Sequence, residues 1–299
     1  MAGELNDLLM RLEASLAPMR GQPRELDGGI TNRNFRVTFG DEDYVVRRPG
    51  KDTELLGIDR SAERLANEAA AALGIAPAVA LALDDCLVTR FVSCTSVGAG
   101  ELADRVEELA RELRAFHDCG VVLPTRFHVG ELLDDYSAIV RARGGVLPSE
   151  YGEAVLVAER ICDALSLVDL RPCHNDLLAG NVIRASSGGR LLIVDWEYAG
   201  MGDPRFDLGN LSVNNAFDEA TDERLLRAYY GEPPCVAQTA ALKLMRLLSD
   251  AREGAWGVVQ TEVSELDFDF AGYAREHFER LLATAAQPQF DEWLVSARA

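Results

Sequence analysis

At 299 residues, with 48% hydrophobic and 26% charged residues, the chain sits in the ordinary globular range and can bury a sizeable core in two lobes around a cleft. A formal charge of −19 argues against nucleic acid or an anionic membrane as partner, since both demand basic patches, and suits either a cationic substrate or plain solubility. No apolar run approaches the ~20 residues of a membrane-spanning helix, the start MAGELNDLLMRLE has no basic n-region, and the six cysteines show no C-x-x-C or metal-type spacing, so a cytoplasmic chain without membrane insertion and with buried thiols is expected.

In chain order, Leu5, Leu8, Leu9, Leu12 and Leu16 fall at helical spacing and predict an amphipathic helix over 4–17. Gly28-Gly29 follows, where backbone N–H groups could approach phosphate and Thr31, Asn32 and Asn34 could add side-chain bonds, although a Gly pair serves equally as a turn. Phe35-Val37-Phe39 and Tyr44-Val45-Val46 flank a Gly-Asp turn and predict a hairpin. A helix over 60–73 carries Glu63 and Glu68, either of which could be a surface acid beside Arg60 and Arg64. Residues 77–83 and 87–92 read as strands, and the small polar run 93–100 reads as a linker. From residue 101 onward, Leu102, Val106, Leu109, Leu113 and Phe116 step by four and three, the signature of one amphipathic helix whose His117 reads as a core or helix-end residue. Further helices are expected over 131–142 and 150–168, and the chain beyond residue 215 reads as almost wholly helical. With strands gathered before residue 93, the expectation is an α+β fold of two lobes, 1–93 with a small antiparallel sheet and 94–299 mainly helical.

The stretch HNDLLAGNVIRASSGGRLLIVDWEYAGMGDPRFD, from His174 to Asp207, concentrates the chemistry. Val182-Ile183 and Leu191 to Val194, separated by Ser186-Ser187-Gly188-Gly189, predict a second hairpin. Closing it brings Asp176 and Asn181, which precede its first strand, beside Asp195 and Glu197, which follow its second. Such a set of oxygen donors suits Mg²⁺. In phosphoryl transfer an Asp accepts the proton of the attacking hydroxyl, an Asn five residues on holds metal, and an Asp after the next strand bridges metal to nucleotide phosphates. Asp176, Asn181 and Asp195 match in order and spacing.

HNDLLAGN followed by IVDWEYAGMGDPRFDLGNLS resembles the choline/ethanolamine kinase family, within the aminoglycoside-phosphotransferase-like kinases that share the protein-kinase fold. The likeness runs from about Gly28 to Arg280, and WEY followed by D-P-x-F-D-L is the feature that narrows it. It implies an ATP- and Mg²⁺-dependent kinase acting on a small cationic alcohol, choline or ethanolamine, with Asp176 as catalytic base and Asn181 and Asp195 as metal ligands. On the nucleotide side it implies Arg47 as the phosphate-pairing cation, Glu63 steadying it, Asn32 in the covering loop, and backbone groups of Phe91 and Val92 facing the adenine. On the acceptor side it implies Trp256 and Tyr273 as walls of an aromatic cage. Glu253 stands where related enzymes carry another cage Trp, so it could hold an ammonium or simply face water, and Glu197 could assist metal or substrate. His174 would brace the catalytic loop. Two rival readings stay open, a kinase of an aminoglycoside or other amine-bearing alcohol, and a catalytically inactive nucleotide-binding module. A homodimer is left open as well.

Overall fold

A computed structural model describes residues 2–26, 32–50, 53–83, 85–165 and 168–298. Gly28, Gly29 and Thr31 lie outside the described residues.

The chain opens with helix α1 (Ala2–Ser15), whose Leu8, Leu9 and Leu12 are buried against a five-stranded antiparallel sheet. Its strands, β1 (Met19–Leu26), β2 (Asn32–Phe39), β3 (Glu42–Pro49), β4 (Val79–Leu83) and β5 (Cys86–Arg90), lie in the order β1-β2-β3-β5-β4. The alternation of Phe35, Val37 and Phe39 turns these three rings and methyls to the α1 side, and Tyr44 and Val46 join them from β3. Gly40 turns the β2–β3 hairpin at φ +62°, a conformation that costs glycine nothing. Helix α2 (Arg60–Ala72) follows β3 and is capped by Asp59, whose carboxylate accepts from the N–H groups of Ser61 and Ala62.

Past β5 the chain becomes mainly helical. A short strand β6 (Cys94–Ser96) leads to α3 (Ala99–Asp104) and α4 (Val106–His117). The single helix expected from residue 101 onward is thus broken at Arg105, which leaves helical geometry at φ −109°, ψ 20°. Arg105 is held there by ion pairs to Glu108 and by donation to the carbonyl of Gly189 at 2.7 Å. Because one residue interrupts the turn, Leu102, Val106, Leu109, Leu113 and Phe116 still enter one core. Helices α5 (Val129–Ala142) and α6 (Ser149–Ala164) come next, joined through Gly144 at φ +82° and Pro148 as the N-cap.

The His174–Asp207 stretch lies between these helices and the C-terminal ones. Strand β7 (Arg171–Cys173) enters it, β8 (Val182–Ala185) and β9 (Leu191–Ile193) form the expected hairpin with Val182 opposite Ile193, and β10 (Gly200–Gly202) leaves it paired to β7. Beyond it run α7 (Pro204–Asn214), α8 (Glu219–Tyr230), the 28-residue α9 (Val236–Val263), α10 (Phe270–Ala285) and α11 (Pro288–Ser296). α9 is the axis of this half, with α5, α6, α7, α10 and α11 all packed on it. The result is a small antiparallel sheet half and a helical half, the two-lobed α+β architecture of protein-kinase-like enzymes. No helix among the described residues is long and apolar enough to cross a membrane.

Candidate active site

The hairpin β8–β9 brings its flanks together as the spacing requires. Asn181 donates its Nδ2 to Asp176 Oδ2 at 2.9 Å and to the Asp176 carbonyl at 2.7 Å, and Val194 N–H donates to the Asn181 carbonyl at 2.9 Å. Asp176 and Asn181 therefore meet directly, and the backbone carries both to the edge where Asp195 begins. Two non-glycine residues here adopt left-handed backbone, Asn175 at φ +67° and Asp195 at φ +65°. That conformation costs a β-carbon-bearing residue roughly 1–2 kcal/mol. At Asn175 the cost is offset by its Nδ2 donating to the Tyr198 carbonyl at 3.0 Å.

His174 ties the two flanks into one unit. Its Nε2 lies 3.0 Å from the Val194 carbonyl and its Nδ1 3.2 Å from the Asp176 N–H. A carbonyl only accepts and an amide N–H only donates, so the ring is neutral with its proton on Nε2. Burial, which holds the His174 pKa below its usual value, agrees. Asp207, at the start of α7, accepts from the N–H groups of His174 at 2.8 Å and Asn175 at 2.7 Å and from His117 Nε2 at 3.0 Å. Cys173 lies in the same buried group, but burial drives its thiol pKa far up and the Asp207 oxygens are already spent on donors, so the group acts as a hydrogen-bonded brace.

On the sheet side, Arg47 of β3 donates Nη1 to Glu63 Oε1 at 2.6 Å, and its Nη2 pairs with Asp195 Oδ1. Glu63, and not Glu68, makes this contact; Glu68 instead pairs with Arg64 on the exposed side of α2. Arg60, one turn before Glu63, reaches inward as well, 2.7 Å from Glu63 Oε2 and 3.4 Å from Glu197 Oε2. Asn32 donates to the same Glu197 oxygen at 2.8 Å. Glu197 thus faces the sheet half and α2, while Glu253 and Trp256 lie on α9 and Tyr273 on α10. Phe91 donates its N–H to the Asp43 carbonyl at 2.9 Å and stacks under Arg36 at 4.0 Å, so that amide is not available to a base edge. Val92 is half-buried beside it.

On the helical side, α9 presents Ser249, Arg252, Glu253 and Trp256, spaced as neighbours on one face. Arg252 Nη1 donates to Asp176 Oδ1 at 3.1 Å and to Glu253 Oε1 at 2.8 Å, and the guanidinium lies 4.3 Å above the Tyr198 ring. Glu253 Oε2 accepts from Tyr273 OH at 2.8 Å, and Trp256 Nε1 donates to Tyr198 OH at 2.8 Å. Trp256 and Tyr273, the two expected cage walls, meet edge to face at 5.7 Å and 74°, and Trp256 belongs to the main core at 7% exposure. Burial raises the Asp176 pKa above the carboxylate range; Arg252 opposes this, while Glu253 and Glu197 add to it. Arg252 and Tyr198 were missing from the sequence reading. A signal existed: α9 reads as mainly apolar and small from Leu247 to Gln260, all of which is buried, and the charges in that stretch, Asp250, Arg252 and Glu253, must be paired with something.

Asn181 spends its amide N–H groups on Asp176, which leaves its Oδ1 as an acceptor, and Asp195 has one oxygen beyond its Arg47 contact. Oxygen donors of this kind fit a hard divalent cation.

The pattern extends to known proteins. The family model "phosphotransferase enzyme family" matches residues 23–239. A choline/ethanolamine kinase family protein from Mesorhizobium loti, solved by crystallography, is 31% identical and superposes with a TM-score of 0.79, covering 97% of this chain and 99% of the other. This chain belongs to the choline/ethanolamine kinase branch of the phosphotransferase enzyme family. Ethanolamine kinase 2 of Mus musculus is 26% identical over 94% of this family member and 80% of its own length. The choline kinase LicA from Streptococcus pneumoniae, 24% identical, has the same fold at a TM-score of 0.79 over 95% of this chain and 99% of its own.

Proposed function

We propose that the protein transfers the γ-phosphoryl group of ATP to the hydroxyl of a small alcohol of the choline and ethanolamine kind, with Asp176 as the base. The observation that carries this reading is the meeting of Asp176 with Asn181 on one side of the β8–β9 hairpin, and of Asp195 with the Arg47–Glu63 pair on the other. Relatives whose names carry choline and ethanolamine kinase activity support the acceptor class.

In this mechanism Asp176 orients the acceptor hydroxyl and takes its proton as the bond to phosphorus forms. Asn181 fixes the Asp176 carboxylate through Oδ2 and, together with Asp195, would hold Mg²⁺. When bound, the ion would neutralise phosphate oxygens, the usual service of Mg²⁺ to a nucleotide. Arg47, aimed by Glu63, supplies fixed positive charge where negative charge builds on the phosphates. Asn32, at the start of β2, would lie on the nucleotide side, and backbone groups at Val92 would meet the base. His174 keeps Asp176 and Val194 in register, so catalysis is positioning plus preorganised charge.

The test is ADP release from Mg-ATP with and without choline and ethanolamine. Acceptor-dependent release of at least tenfold over background is expected with one of them or a close relative. ADP release indifferent to any added alcohol contradicts the reading.

A further inference from the structure

Helix α2 belongs by sequence to the sheet half, yet its Ala62, Ala66 and Ala70 are buried in a core shared with α4 and α8 of the helical half. The turn ahead of it, Thr53–Leu56, is anchored likewise. Leu56 and Ile58 enter the other helical core, and Tyr136 OH of α5 donates to the Leu56 carbonyl at 3.0 Å. α2 thus stands between the halves, and Arg60 is its first residue.

Arg60 gathers groups from three stretches of chain. Its Nη1 donates to Glu63 Oε2 at 2.7 Å and lies 3.4 Å from Glu197 Oε2, and its Nη2 donates to the buried Thr53 Oγ1 at 2.9 Å. The carboxylates of Glu63 and Glu197 are 3% and 2% exposed, so two like charges meet out of water at one nitrogen, and removing the arginine would leave them to repel each other. A guanidinium is a rigid planar fork, so the Thr53 hydroxyl on one prong sets the place of the other. The two carboxylates lead to different ends of the site. Glu63 spends its other oxygen on Arg47 Nη1 at 2.6 Å. Glu197 is followed by Tyr198, whose OH accepts from Trp256 Nε1, whose ring lies under Arg252, and whose carbonyl accepts from Asn175, the neighbour of Asp176. A shift of the segment 195–198 therefore reaches Arg47 through Glu197, Arg60 and Glu63, and a shift of Arg47 travels back the same way.

We infer that Arg60 is a positioning residue that couples the two ends of the site, making the aim of Arg47 at the nucleotide depend on the seating of the acceptor alcohol beside Tyr198 and Asp176. It touches neither substrate and acts through Glu63 and Glu197. Because a coupling free energy belongs to both ligands, each should raise the affinity of the other by the same factor. The inference rests on the proposed roles of Arg47 and Asp176.

The test is calorimetry of a non-hydrolysable ATP analogue with Mg²⁺, without acceptor and with saturating choline or ethanolamine, whichever the wild type turns over with the higher kcat/KM. The ratio of the two dissociation constants should be about fivefold or more in the wild type, the usual scale of coupling between sites, and below about twofold in Arg60→Gln. Arg60→Lys, which keeps the charge and loses the fork, should fall between them. Thr53→Val, which removes only the Nη2 partner, should lower the ratio as well. A merely structural Arg60 would lower the melting temperature and weaken both ligands while every variant keeps the wild-type ratio, which overturns the inference. Should Arg60→Gln not fold, Arg60→Lys and Thr53→Val decide by the same ratio. A wild-type ratio of one also overturns it, and acceptor-dependent ADP release by that protein leaves the kinase reading intact. ADP release indifferent to both alcohols contradicts the kinase reading and the inference with it.

Discussion

At the scale of single residues, the site is a set of polar groups each fixed by one or two partners. Asp195 combines left-handed backbone with an ion pair to Arg47, so its carboxylate is aimed before any ligand arrives. Asp195→Ala is expected to abolish measurable Mg-ATP binding while the circular dichroism spectrum is unchanged; calorimetry showing wild-type affinity would remove Asp195 from the metal site. Asp176, Asn181 and Asp195 were legible because a D-x4-N spacing ahead of a hairpin and an Asp behind it leave few ways to arrange the backbone. Arg47 and Glu63 were legible through the likeness of strand and helix spacing. Arg252, Tyr198 and Arg60 were not, because their partners lie far along the chain, 76 residues from Arg252 to Asp176 and 137 from Arg60 to Glu197. For Trp256 the likeness implies a cage wall, and in the structure the ring packs edge to face with Tyr273 and donates to Tyr198.

At the scale of elements, the site depends on how closely α7 and α9 approach and on the Asp207 brace at the start of α7. A β-carbon on Gly209 would come within 2.5 Å of Met245 Cβ and 2.6 Å of its carbonyl carbon, and backbone cannot yield as a flexible side chain can. Gly209→Ala should therefore destabilise the fold by about 1–3 kcal/mol, the range for overpacking, read as a lower melting temperature. An unchanged melting curve would show that the two helices separate at no cost. At Asp207, burial opposes ionisation, but His117 and the N–H groups around it outweigh burial and hold the pKa below its ordinary value. A depressed carboxylate contributes stability that is present above its unfolded pKa of about 3.9 and is lost as pH falls through the lower folded value. Asp207→Asn should cost about 3 kcal/mol near pH 7, as for breaking a buried charged network, and the gap to wild type should close as pH drops below about 4. A gap independent of pH would mean the carboxylate charge is not what the brace uses. The hairpins, α1 and the long C-terminal helices were legible from apolar period alone. The break at Arg105 was not, since its cause is the Gly189 carbonyl from the distant hairpin.

At the scale of the whole molecule, the net charge of −19 is not spread evenly in function. Arg47 and Arg60 of the sheet half reach Asp195 and Glu197 of the helical half, whereas other arginines, Arg64 and Arg160 among them, pair with acids on the surface. The measurement that bears most directly on this account is the yield of phosphomonoester, followed by mass spectrometry, from Mg-ATP and a small amino alcohol with wild-type protein and with Asp176→Asn. The account predicts product equal to the ADP released by the wild type, and a rate lower by roughly 10²-fold or more in Asp176→Asn, the scale of a general base. Equal rates in the two proteins, or ADP without a phosphorylated alcohol, would contradict it.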